Sequence, residues 1–199
     1  FWRSMTHWLG GMGIIVLAIA ILPLLGIGGM QLFSAEAPGT GITSDKIHPR
    51  ISDTAKRLWI IYVGLTFAET ILLKIAGMSF FDAVNTSMSN IASGGFSSRN
   101  ASIGYWNSMP IIQYIIILFM FLAGINFSLH FVAWNNRSLM DYIKDSEFKA
   151  YAMILICSSI IVLIALSLNS EYSSNSETFR HSLFQTVSIA TTTGFSSQN

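Results

Sequence analysis

A chain of 199 residues with 52% hydrophobic residues and only 11% charged ones is far less polar than a soluble domain, in which about a quarter of residues carry charge. That balance excludes a disordered chain, and a net charge of +1 leaves no basic surplus to neutralise nucleic-acid phosphates. The single cysteine, Cys157, excludes an internal disulfide framework, which leaves an all-α integral membrane protein.

Asp, Glu, Lys and Arg are absent from residues 4–35, 100–136 and 150–170. Each gap exceeds the roughly 20 apolar residues that cross a hydrocarbon core as helix. The first span is expected from about Trp8 to Gly29. Gly10, Gly11 and Gly13 near its start allow close helix approach, and Pro23 kinks its end. A polar segment, residues 30–57, follows with Pro38-Gly39 and Pro49. The second span runs from about Leu58 to Gly77 and contains Glu69 and Lys74. Phe80 to Ser93 is moderately apolar and too short to cross, the pattern of a re-entrant or interfacial helix. The third span runs from about Met109 to Trp134 and is interrupted by Gly124-Ile125-Asn126. Residues 136–149 form a second polar loop. The fourth span runs from Ala150 to Leu168, and a second short stretch follows from Phe179 to Thr192. A soluble four-helix bundle is the alternative, but its helices would show polar stripes. Ile111 to Leu122 has almost none.

Four spans put Lys46, Arg50, Lys56, Arg57, Arg137, Lys144 and Lys149 on one side, seven of the eleven basic residues. That side is expected to be cytoplasmic, so the two short stretches enter from outside. The chain opens at Phe1 without an initiator Met and closes at Asn199 within a repeated motif, so a longer parent is expected.

Self-comparison reveals the repeat. Phe80 to Asn100 aligns without gaps on Phe179 to Asn199, 99 residues later, and both copies carry Gly-Phe-Ser-Ser. Non-helical backbone cannot face lipid, because each unpaired peptide group costs several kcal/mol. Ala92-Ser93-Gly94-Gly95 and Thr191-Thr192-Thr193-Gly194 would sit just past the C-terminal ends of their helices, where carbonyls are free and the dipole is negative. Glycine permits the φ > 0 that aims carbonyls at one axis, and carbonyl rings replace the water shell of a monovalent cation. The Thr hydroxyls are further candidate oxygen ligands.

At these residues the chain resembles the Trk/Ktr/HKT superfamily of potassium transporters, most of all its bacterial TrkH-type branch. The resemblance rests on Trp2-Arg3-Ser4-Met5-Thr6-His7-Trp8-Leu9-Gly10-Gly11, Pro49-Arg50-Ile51, Leu58-Trp59-Ile60-Ile61-Tyr62, Ser93-Gly94-Gly95-Phe96-Ser97, Asn126-Phe127-Ser128-Leu129-His130-Phe131 and Thr191-Thr192-Thr193-Gly194-Phe195-Ser196, and so covers nearly the whole chain. It implies span–re-entrant pore helix–span repeats as in potassium channels. Residues 1–29 would be the last span of repeat one and 30–57 a cytoplasmic loop. Residues 58–135 would be repeat two, with pore helix and filter at 80–97. Residues 136–149 would be a cytoplasmic loop and 150–199 the first part of repeat three. Gly95 and Gly194 match filter glycines. Ile91, Ala92, Ser93 and Gly94, with Thr191, Thr192 and Thr193, match the ligands before them.

The function so implied is potassium uptake across the bacterial inner membrane, with the potassium ion as cargo and no catalytic residues. A homodimer within membrane lipid is implied, together with a cytosolic nucleotide-binding, TrkA-like regulatory subunit; Glu36 to Arg57 is its candidate docking segment. Symport with protons or sodium and channel-like flux both stay open. A sodium or non-selective pathway, or a membrane scaffold or enzyme without transport, are the alternatives.

Glu69 and Asn126 are candidate pathway-lining residues. A carboxylate at mid-membrane costs roughly 2.5–3.5 kcal/mol on insertion scales, so Glu69 needs a partner; Lys74, five residues on, has poor helical spacing. Glu69 either lines the pathway or couples a proton, or is a structural carboxyl that is satisfied or protonated in place; the structural reading is favoured because Glu69 is not part of the pattern of the family that the chain resembles. Asn126 either wets an inner vestibule or belongs to a packing bend. His130 is expected at a helix interface or the cytoplasmic mouth.

Overall fold

The computed structural model describes residues 1–21, 47–169 and 174–198. In chain order the helices are α1 (Trp2–Ile21), α2 (Ile47–Ile75), α3 (Phe80–Ile91), a 3-10 turn (Ser102–Trp106), α4 (Pro110–Ala123), α5 (Phe127–Asn136), α6 (Met140–Lys144), α7 (Ser146–Asn169) and α8 (Asn175–Ala190). Within α2, Arg57–Ile75 is long and apolar enough to cross a membrane, as is Ser146–Leu168 of α7. The first expected span is helical through Ile21; residues 22–29 lie outside the described residues, as does most of the expected cytoplasmic segment. The part that is described, from Ile47, is already helix rather than loop. Pro49 falls in its first turn, where no intrahelical N–H is needed.

The expected third span is two helices rather than one: α4 and α5 meet at 92°. Gly124 ends α4, its N–H bonding the Met120 and Leu122 carbonyls. Asn126 starts α5 by accepting from the Ser128 N–H at 3.0 Å. The carbonyls freed by the break find side chains: Leu122 O lies 2.9 Å from His130 Nε2, and Phe121 O accepts from the Tyr151 hydroxyl at 3.2 Å. Such replacement is what makes a break inside an apolar span tolerable.

Helices α3 and α8 have 12 and 16 residues, about 18 and 24 Å at 1.5 Å per residue, short of a hydrocarbon core. Helix α3 packs against α1, α2 and α4; α8 packs against α4 and α7. Thus α4 touches both short helices and carries the centre of the larger apolar cluster, in which Ile112, Ile116 and Met120 meet Ile103, Trp106, Phe184 and Phe195. A smaller cluster of Met12, Leu58, Tyr62, Ile91 and Phe119 ties α1 and α2 to the end of α3. Outward, α7 bares Ile154, Ile156, Ile160, Ile161 and Ile164, a surface suited to lipid or another apolar chain.

Candidate ion-binding site

The two short helices are inverted in polarity relative to a soluble helix. Helix α3 exposes Phe80 and Phe81 and buries Asp82, Asn85, Thr86, Ser87, Ser89 and Asn90. Helix α8 exposes Phe179 and Ile189 and buries Thr178, Arg180, His181, Ser182, Thr186 and Ser188. Buried polar groups need partners, and several of these bind the short helix to its span. Thr70 Oγ1 and Ser87 Oγ are 2.5 Å apart, and Asn90 Nδ2 donates to Glu69 Oε1 at 2.7 Å. Ser182 Oγ donates to the Ser159 carbonyl of α7 at 3.1 Å.

Beyond each helix the backbone repeats itself. Ala92 (φ −81°, ψ 0°) and Thr191 (φ −85°, ψ 2°) end the helices. The next residues turn left-handed, Ser93 at φ 52° and Thr192 at φ 58°. Their N–H groups donate to Asn90 O at 2.9 Å and Ile189 O at 3.0 Å. Two residues further, at Gly95 (φ 66°) and Gly194 (φ 82°), φ is positive again. A left-handed non-glycine costs roughly 1–2 kcal/mol, and threonine, branched at Cβ, is among the least suited. Both copies carry this strain at the same place.

The loops meet. A Cβ on Gly95 would overlap the Thr193 carbonyl oxygen and come within 2.9 Å of the Gly194 carbonyl carbon. A Cβ on Gly194 would have nothing within 4 Å. The 3-10 turn after the first loop holds the second: Ser196 O accepts from Ile103 N at 3.0 Å and Gly104 N at 3.3 Å, and Ser196 N donates to Ser102 Oγ at 3.2 Å. From the other side, Gly11 brings α1 against Ala92, and Gly124 brings the α4–α5 bend against Thr191.

A side-chain clamp closes each loop at its outer end. Asp82 accepts from Ser98 Oγ at 2.5 Å and from Arg99 Nη2 at 2.8 Å. Ser79 caps α3, taking the Asp82 N–H at 3.1 Å and donating to the Asp82 carboxylate at 2.9 Å. Burial opposes a charge on Asp82, but the hydrogen bonds from Ser98, Arg99 and Ser79 and the Arg99 charge outweigh it and hold the carboxyl below its ordinary range. At the position aligned with Asp82, His181 Nδ1 lies 2.9 Å from Ser197 Oγ. Burial and the neighbouring Arg180 charge keep this histidine neutral to lower pH than usual, against a smaller pull from Glu177.

The sequence candidates fall as follows. Ile91 is buried as the last residue of α3, and Ala92, Ser93, Gly94 and Gly95 are half-buried. Thr191 and Thr193 are buried with their hydroxyls 2.8 Å apart, and the Thr191 hydroxyl also donates to Val187 O. Thr192 and Gly194 are exposed. The two sets come together at Gly95 and Thr193. Asn126 and Glu69 stand apart from the loops: Asn126 caps α5 beside Glu147, at 3.3 Å, and Glu69 lies fully buried between α2 and α3. His130 is buried, its Nδ1 2.7 Å from the Tyr142 hydroxyl. Sequence reasoning missed the two clamps and the 3-10 turn. The clamps had a signal, because positions 82 and 98 and positions 181 and 197 are polar pairs at equal spacing in the aligned copies.

Comparison with known proteins fits this geometry. The family model for TrkH, described as a cation transport protein, matches residues 1–199. The chain is 48% identical over 199 residues to the Trk system potassium uptake protein TrkH of Escherichia coli (strain K12), covering 100% of this chain and 41% of that protein. It is 35% identical over 199 residues to the TrkG protein of the same strain, covering 100% of this chain and 40% of that one. The crystal structure of the potassium transporter TrkH from Vibrio parahaemolyticus superposes with a TM-score of 0.82 at 42% identity, covering all of this chain and 39% of that one. The chain thus spans about two fifths of the length of the relatives it matches. It belongs to the TrkH family of cation transport proteins, a family of transporters and not of enzymes.

Proposed function

We propose that the protein to which this chain belongs takes up potassium through a central pathway in which residues 91–95 and 191–194 supply backbone carbonyls of a selectivity filter. The observation that carries this reading is the meeting of two loops with the same succession of left-handed residues, Gly95 lying against the Thr193 carbonyl. Alternation of left- and right-handed residues turns successive peptide groups toward one side, which is what replacing a hydration shell requires. A site without a carboxylate suits a weakly hydrated alkali ion better than a divalent one. Relatives at 48% and 35% identity are named as potassium uptake proteins, which supports potassium as cargo.

In this reading the molecule resides in the bacterial inner membrane. It works as a homodimer with a cytosolic nucleotide-binding partner docked near residues 36–57, and both symport with a second cation and channel-like flux fit this reading. The test is growth of uptake-deficient bacteria at low potassium when they express the full-length parent. Growth and rubidium uptake are expected, with sodium a poor competitor. Strong sodium competition would favour a non-selective pathway, and proteoliposomes without any cation flux would favour a scaffold.

A further inference from the structure

Resting on that reading, we infer that Glu69 is a positioning residue for the first filter loop, acting through Asn90 as a hydrogen-bond acceptor rather than as a stop on the ion path. Glu69 has no solvent exposure, and neither has Asn90. Asn90 gives one amide hydrogen to Glu69 Oε1 at 2.7 Å and the other to the Ile116 carbonyl at 3.2 Å. One side chain therefore bonds α2 on one side and α4 on the other, two helices that flank α3. The main chain of the same residue reaches the filter, since Asn90 O accepts from the N–H of Ser93, the first left-handed residue of the loop, at 2.9 Å. Rotation or sliding of α3 is thus resisted at the residue from which the strained turn begins.

No cation faces this carboxyl: among the described residues the one ion pair is Arg99 with Asp82, and Lys74 is exposed. Glu69 Oε2 has no hydrogen-bond partner among the described residues. What Asn90 needs from Glu69 is a single acceptor oxygen, which a glutamine amide also offers. At the position aligned with Asn90 in the second copy stands Ile189, which is 73% exposed and has no side-chain amide to give. That loop has no such tie, and its support comes from elsewhere. A tie on one loop only would set how closely the first loop stands against the Thr193 carbonyl, and hence the fit of the shared opening to its ion.

The test uses the full-length parent in proteoliposomes, reading the potassium-to-sodium preference and the apparent affinity for rubidium at matched amounts of inserted protein. Glu69→Gln should stay within about twofold of the wild type. Glu69→Leu should lower the preference about tenfold or more, and Asn90→Ser, which shortens the side chain out of reach, should do the same. Thr70→Val removes a hydrogen bond across the same interface that does not lead to the loop; it should lower thermal stability and leave preference unchanged. If Glu69→Leu fails to insert, Asn90→Ser decides. Loss of transport in Glu69→Gln would show that the charge itself acts, and unchanged preference in Glu69→Leu or Asn90→Ser would remove the positioning role; either result overturns the inference. Gly95→Ser in the same assay separates it from the reading it rests on. If Gly95→Ser abolishes transport or changes preference while Asn90→Ser does neither, only the inference falls. If neither does, the filter assignment falls with it.

Discussion

Asp82 and His181 stand 99 residues apart, and each bonds the serine that follows a Gly-Phe-Ser turn. One does so with a carboxylate reinforced by Arg99, the other with a histidine ring beside Arg180. The phenylalanines diverge too. Phe195 is 2% exposed within the larger core, whereas Phe96 is 42% exposed, with the His7 ring 4.9 Å away and the Arg3 guanidinium 4.2 Å from its centroid. Yet the left-handed positions coincide. The backbone of the loop is the common requirement, and each copy meets it with whatever its neighbours supply: α1 and polar bonds to α2 for the first, the apolar core and the 3-10 turn for the second.

The glycines give the largest expected contrast. Gly95→Ala forces a Cβ into the Thr193 carbonyl and should abolish rubidium uptake by the full-length parent. Gly194→Ala carries only the left-handed backbone cost of roughly 1–2 kcal/mol, and should retain measurable uptake. Equal losses would break the distinction between the two loops.

The phenylalanines should separate next. Phe195→Ala empties a core position and should cost about 3–5 kcal/mol. Phe96→Ala loses a half-exposed ring and its cation–π contact, worth about 0.5–1 kcal/mol at such sites. Chemical denaturation of the two variants in detergent checks the order.

Acid should sharpen the comparison with a smaller effect. His181 binds a proton less readily folded than unfolded, so the unfolded state holds more protons and the stability of the second loop falls as pH drops below the ordinary histidine value of about 6.5. The Asp82 carboxyl is also depressed, so its contribution is present above the ordinary aspartate value of about 3.9 and is lost only as pH falls through the lower, folded value. Between pH 7.5 and 5.5, protection from hydrogen exchange, measured against the intrinsic rate at each pH, should fall at residues 192–198 and stay unchanged at 93–98. Simultaneous loosening would contradict the assignment of the two clamps.

Much of this was legible in the sequence. The charge gaps located α1, α4 and α7, and the gapless repeat located both short helices and their loops, because membrane crossing and glycine turns are written in composition and spacing. Gly124-Ile125-Asn126 marked an interruption, but not its angle. The 92° bend depends on His130 and Tyr151 taking up freed carbonyls, contacts that reach across helices. The left-handed Ser93 and Thr192 were hidden, since neither residue type signals that conformation. The partner of Glu69 was hidden as well: Lys74 is near in sequence, but Asn90, 21 residues on, is near in space.

The central claim is that the two loops jointly ligate a dehydrated monovalent cation. Crystals of the full-length parent grown with rubidium or thallium, read by anomalous scattering, test it most directly. The account predicts density on the shared axis in contact with carbonyl oxygens from both residues 91–95 and residues 191–194. Ordered loops with no density between them, or density held by side-chain carboxylates elsewhere, would contradict it.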